Sequence, residues 1–155
     1  MLNFDSRGYL KPNKNLASSS KELFDEFVKK IQNAQRQQLY DNYIQYSNDL
    51  KKACGGIELT QWVDGSFVTK KNIPNDIDVV TFIDFNISCD LSKFVYPESI
   101  EKYNVDGYIV IVYPRKHPKI ALYMGDWGYW MDRFDKTRRN RARNRYPKGF
   151  LEVTF

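Results

Sequence analysis

A chain of 155 residues, 42% of them hydrophobic, has the length of one domain and enough apolar side chains for a core without staples. Its two cysteines, Cys54 and Cys89, are far apart and its single histidine is His117, which argues against a disulfide framework and against a zinc site. The net charge of +5 is local: residues 133–148 hold eight basic groups and one acid, so the rest of the chain sums to about −2.

Residues 1–18 are polar, with Gly8 and Pro12, and read as an extended N-terminal arm lying over the single domain of residues 19–155. Ser19 with Glu22 makes a capping box, after which Leu23, Phe24, Phe27, Val28 and Ile31 recur at helical spacing. A second helical stretch carries Leu39, Tyr43, Tyr46, Leu50 and Ala53 on one stripe, expected to be core, and stops at Gly55-Gly56. Ile57 to Val63 predicts a strand.

The run Asp76 to Ile83 is β-branched and apolar almost throughout, which predicts a strand buried on both faces. Residues 84–102 are mixed and loop-like, with one helical turn near Glu98 to Tyr103. Val105 to Tyr113 is the clearest strand signal. Its apolar part is too short to cross a bilayer and no signal-like segment opens the chain, so a soluble, cytoplasmic protein without membrane contact is expected. Residues 115–121 read as a linker and His117 as a surface group; Trp127, Trp130, Met131 and Phe134 predict a helix. The basic loop 133–148 then leads into an alternating last strand, 149–155.

The chemistry concentrates between Gly65 and Asp78. A glycine after a strand permits a tight turn that a phosphate can approach, Ser66 adds a hydroxyl, and the residues that follow can open a short helix with free N–H groups. Asp76 and Asp78 share one side of an extended segment. Desolvating two such carboxylates costs several kcal/mol per ion unless a cation sits between them. Hard oxygen donors suit Mg2+ or Mn2+, whose remaining positions go to water and substrate phosphates. Lys71, and after it Lys70, are positioned to neutralise phosphate charge.

The set Val63, Gly65, Ser66, Asp76, Ile77, Asp78 and Val79 resembles the signature of the nucleotidyltransferase superfamily that includes DNA polymerase beta and the minimal enzymes of toxin–antitoxin pairs, with Asp64 as a polar departure beside the glycine. The wider string Trp62 to Thr69 with Lys71 and Pro74, the opening Gly8 to Pro12 and the closing Tyr129-Trp130 to Gly149 look like a small bacterial and phage family of nucleotidyltransferase-like proteins. The resemblance implies an α+β fold: a mixed β-sheet packed with helices on one side, the N-terminal helices preceding the strand and turn of the site. It implies transfer of an NMP group from a nucleoside triphosphate to a hydroxyl of a protein or RNA acceptor. Asp76, Asp78 and Asp106 would hold the metal, Asp106 as the third carboxylate on a neighbouring strand, and Gly65 with Ser66 would hold the β- and γ-phosphates.

Two other functions fit the same residues. One is a nucleotide- or RNA-binding module of this fold without turnover; the other is a toxin–antitoxin or phage-defence component that needs an antitoxin-like partner. Arg138, Arg139, Arg141, Arg143 and Arg145 supply the cations for a nucleic-acid backbone, with Trp127, Tyr129, Trp130 and Tyr146 near enough in sequence to stack bases. A loop closing over a triphosphate is the other use of that charge.

Overall fold

The computed structural model describes residues 2–155, beginning with a short antiparallel hairpin of β1 (Asn3–Phe4) and β2 (Leu10–Lys11). Asp5 organises the turn between them: its carboxylate accepts from the N–H groups of Arg7 and Tyr9, each at 2.9 Å. This local satisfaction of backbone donors is why aspartate favours turns. Next comes β3 (Asn15–Ser19), which pairs in parallel with the last strand. Part of the expected arm is therefore an edge strand of the main sheet, where its backbone groups find partners that a loose overlay would lack.

Ser19 caps α1 (Ser20–Phe24), its hydroxyl accepting from the Glu22 N–H at 3.1 Å, as the capping box predicts. The helix widens into a π-helical turn, Asp25–Lys29. Asn33 then caps α2 (Ala34–Ala53) by accepting from the Gln35 N–H at 2.8 Å. Leu39, Tyr43, Tyr46 and Leu50 are buried as their spacing requires, while Ala53 is exposed and Cys54 takes the buried place.

The remaining elements are β4 (Thr60–Asp64), β5 (Asp78–Asp84), α3 (Glu98–Tyr103), β6 (Asp106–Val112), α4 (Ile120–Phe134) and β7 (Phe150–Thr154). α4 starts inside the segment read as a linker, and it absorbs Arg133 and Phe134 from the expected loop. The main sheet has the order β3-β7-β4-β5-β6. β4 runs antiparallel to both β5 and β7, whereas β5 and β6 are parallel, as are β3 and β7.

Alternation along these strands sorts the side chains onto two faces. Val63, Val79, Ile83, Leu151 and Val153 join Leu23, Phe27, Tyr43 and Leu50 in the larger core. Trp62, Val80, Val110 and Phe150 meet Trp130 and Phe134 of α4 on the other face. Helices thus cover both sides, not one as expected, because central strands apolar on both faces need cover on both. Among the described residues no helix is long and apolar enough to cross a membrane.

The buried Gln61 side chain is paired at both ends of its amide. The Gln61 side-chain oxygen accepts from Tyr43 at 2.8 Å and Ser47 at 3.1 Å, and its amide donates to Thr81 at 3.1 Å. Gly107 lies where a Cβ would meet the Phe94 carbonyl oxygen at 2.4 Å and the Tyr46 hydroxyl at 2.7 Å, so α2 closes on β6 only over a glycine.

Arg36 of α2 is fully buried, and its guanidinium donates to the carbonyl oxygens of Phe27 at 3.2 Å, Phe67 at 2.7 Å and Thr69 at 2.8 Å, and also to that of Lys71. Burial lowers its pKa to about 10, which leaves it cationic at neutral pH. One side chain thereby fixes the loop that follows the Gly65 turn. Arg36→Met should cost about 3 kcal/mol or more in urea unfolding, because several buried carbonyls lose their donor at once. Arg36→Lys should recover little of it, since one ammonium lacks the planar fork. A loss below about 1 kcal/mol for the Met variant would mean that water satisfies this loop.

Candidate metal centre

β4 ends at Asp64, and Gly65 follows with φ 87° and ψ −176°, a conformation that side-chain-bearing residues rarely adopt. A Cβ at this position would meet the Asp76 carbonyl oxygen and an Asp78 carboxylate oxygen, both at 2.9 Å. The glycine thus lets the chain between β4 and β5 fold back directly onto the carboxylates. A single 3₁₀ turn, Ser66–Val68, comes next.

Strand register then builds the acidic cluster. Asp64 is paired with Asp78 across β4 and β5, and Asp78 with Asp106 across β5 and β6, so three aspartates stand in a row on one face of the sheet. Asp76 lies just before β5, not on the strand as expected. It reaches the row because the Ser66 N–H donates to its Oδ1 at 2.8 Å and the Ser66 hydroxyl at 2.6 Å. Carboxylate oxygens of Asp76, Asp78 and Asp106 all lie within 4.8 Å of one another.

Like charges this close raise the cost of ionisation. Burial, and then the neighbouring Asp64, Asp76 and Asp106, push the Asp78 carboxyl up to about 8. Asp64 is also raised by burial, opposed by a charge-assisted bond from the Lys148 ammonium, itself buried just before β7. Of basic groups, Asp76 has only the longer contact of Arg138 at 3.8 Å, and Asp78 and Asp106 have no basic partner among the described residues. Three oxygen donors within reach of one centre, one of them desolvated, suit a hard divalent cation that keeps some of its waters.

Asp64, Asp76 and Asp78 line a cavity of about 820 Å³, while Asp106 lies beside Asp78 and outside that lining. The cavity walls come from the β1–β2 turn, the loop around Lys71, the end of α4 and the basic segment. Gly65 and Ser66 line it, but their expected phosphate-binding groups are occupied. The Ser66 hydroxyl and N–H bond Asp76, and the Phe67 N–H donates to the Asp76 carbonyl at 3.1 Å. Ser66 orients a carboxylate here. Lys71 is exposed on the cavity rim, whereas Lys70 is held by Glu26 at 2.7 Å.

The basic segment is a folded-back excursion, not an open loop: Lys136 bridges Pro147, and the Thr137 N–H donates to Tyr146 O at 2.8 Å. Arg138 and Arg145 face the cavity, Arg138 at 3.8 Å from the Asp76 carboxylate. Arg139, Arg141 and Arg143 are exposed around its tip. Of the aromatic residues proposed to stack bases, Trp130 is buried in the core under α4, and Tyr146 lies beneath the Arg7 guanidinium at 4.1 Å. His117 stacks on Tyr113 with ring centroids 4.7 Å apart, remote in the fold from the acidic row. The sequence did not identify Lys148 or Arg7 as parts of this site. Lys148 was one cation among eight, and only the pairing of β7 with β4 brings it to Asp64.

A family of unknown function, DUF6932, matches residues 2–154. The chain belongs to DUF6932. No curated protein and no solved structure matches it. The DUF6932 match takes in the β1–β2 turn as well as β7, so every wall of the cavity lies inside the region that defines the family.

Three substitutions probe the electrostatics of the DUF6932 site. Lys148→Met strands a buried Asp64 and should destabilise the fold by about 3 kcal/mol or more, while Asp64→Asn with Lys148→Met should recover most of that loss; equal stability of the two variants would refute the buried pair. For Asp78 the folded pKa is raised, so the native state retains a proton that the unfolded chain has released, and stability falls as pH rises from about 4 towards 8. Asp78→Asn should flatten that slope and raise the melting temperature at pH 8 by roughly 5 °C. Parallel melting curves for variant and wild type from pH 4 to 8 would exclude the proton held at Asp78.

Proposed function

We propose that this protein is a metal-dependent nucleotidyltransferase that moves an NMP group from a nucleoside triphosphate to a hydroxyl on a protein or RNA acceptor. The observation that carries the reading is the convergence of Asp76, Asp78 and Asp106, with oxygens within 4.8 Å, against the backbone turn at Gly65. A divalent cation bound there would supply charge stabilisation for the attacking and leaving oxygens of an in-line displacement. The chain's own groups do the rest. Ser66 fixes the Asp76 carboxylate, and Asp78 and Asp106 present oxygens from adjacent parallel strands. Asp106, partly exposed at the mouth of β6, would take the proton from the acceptor hydroxyl. The hydroxyl oxygen then bonds to the α-phosphorus, and the bond from that phosphorus to the β-phosphate oxygen breaks to release pyrophosphate.

One observation favours a second reading, a nucleotide- or RNA-binding module without turnover: the N–H and hydroxyl of Ser66 are turned onto Asp76 and not into the cavity. α-Labelled ATP incubated with the protein, Mg2+ and cell lysate separates the two. Label on a macromolecule supports transfer, and saturable binding without transfer supports the module. For the site itself, Mn2+ should strengthen the binding of a non-hydrolysable triphosphate to the wild-type protein, and Asp76→Ala with Asp78→Ala should abolish that Mn2+-dependent part of the binding while the fold survives. Unchanged binding in that double variant would reject the assignment.

A further inference from the structure

The Gly65-Ser66 turn is the expected holder of the phosphate tail, yet its N–H and hydroxyl groups already bond Asp76. A multiply charged tail entering this cavity therefore needs donors from elsewhere in the wall. Three arginines from two separated parts of the chain supply them. Arg7 belongs to the β1–β2 turn, and Arg138 and Arg145 to the folded-back basic segment; all three line the cavity that Asp64, Asp76 and Asp78 also line.

Their side chains are arranged by contacts that leave donors available. Arg145 uses its Nε to donate to Thr137 O at 2.9 Å, which leaves the two terminal nitrogens of its fork. Arg7 lies over the Tyr146 ring at 4.1 Å, a cation–π contact that joins the N-terminal turn to the basic segment, and its Nη1 stands 3.7 Å from the Asp5 carboxylate, a contact long enough for an anion to replace. Arg138 stands 3.8 Å from the Asp76 carboxylate, a distance that an anion's oxygen can replace with a shorter contact. The turn that carries Arg7 is also anchored from below: Lys70 N–H donates to Gly8 O at 2.9 Å, and Gly149 N–H to Leu10 O at 2.6 Å. The guanidinium is thus exposed on a backbone held in place.

We infer that Arg7, Arg138 and Arg145 form a binding wall for the phosphate tail of a nucleoside triphosphate or another linear polyphosphate, in the cavity that Asp76 and Asp78 share. Resting on the reading of the cavity as a triphosphate site, this assigns the tail to the arginines and leaves the Gly65-Ser66 turn to position Asp76. It also divides the basic segment by function. Arg138 and Arg145 face inward, while Arg141 and Arg143, near the tip, do not line the cavity.

Inorganic tripolyphosphate titrated calorimetrically into the full chain, with EDTA present, tests the wall without any metal. Wild type should bind, Arg138→Gln with Arg145→Gln should bind roughly tenfold more weakly, and Arg7→Gln should also weaken binding, as expected for lost charge-assisted contacts. Arg141→Gln with Arg143→Gln removes the same charge from the tip and should leave the affinity within about twofold. No binding to wild type, or an equal loss in both double variants, overturns the wall in favour of diffuse attraction. Mn2+ titration of wild type against Asp78→Asn, without phosphate, reads the acidic row separately, so failure of the wall and failure of the metal reading are distinguishable.

Discussion

Desolvated negative charge at the ends of β4, β5 and β6 is the constraint around which this molecule is arranged. Register places Asp64, Asp78 and Asp106 side by side, and Ser66 adds Asp76 from outside the sheet. Such a row is costly in a folded chain, and the fold answers it in two ways. Lys148 neutralises the innermost member, and burial together with its neighbours holds a proton on Asp78. On the proposed reading, a divalent cation bound there would replace both the proton and the repulsion.

The surrounding structure keeps that row rigid. Arg36 reaches out of α2 to four backbone carbonyls, three of them in the loop after Gly65, so the turn beside the aspartates is fixed from the core side. Gln61, one turn of alternation from Val63, is held by Tyr43, Ser47 and Thr81, which ties β4 to α2 beneath the site. On the opposite face α4 packs Trp130 and Phe134 against Trp62 and Val80. Buried polar networks of this kind help to specify one arrangement of a sheet over its alternatives when their members are paired, as Gln61 is by Tyr43, Ser47 and Thr81.

Above the rigid floor the walls are of another character. The β1–β2 turn and the basic segment are polar, meet each other through Arg7 and Tyr146, and are fastened to the domain chiefly by backbone hydrogen bonds. Acidic floor and basic wall in one cavity suit a ligand that carries phosphate charge and brings a cation with it. A nucleic-acid backbone crossing the exposed tip of the segment would use Arg139, Arg141 and Arg143 and would respond steeply to salt.

Local signals decided much of this protein. The Ser19 cap, the tyrosine stripe of α2, the paired acids at Asp76 and Asp78 and the strand leading from Asp106 all follow from spacing and side-chain chemistry that act within a few residues. Tertiary structure alone decided what depends on pairing between distant segments. It put β3 into the sheet, α4 on the second face, Lys148 against Asp64 and Arg7 against Tyr146. It also set the Ser66 N–H and hydroxyl on the Asp76 carboxylate. No periodicity in the chain encodes those contacts, because register and topology are set by the burial of the whole sheet and not by any one of its strands.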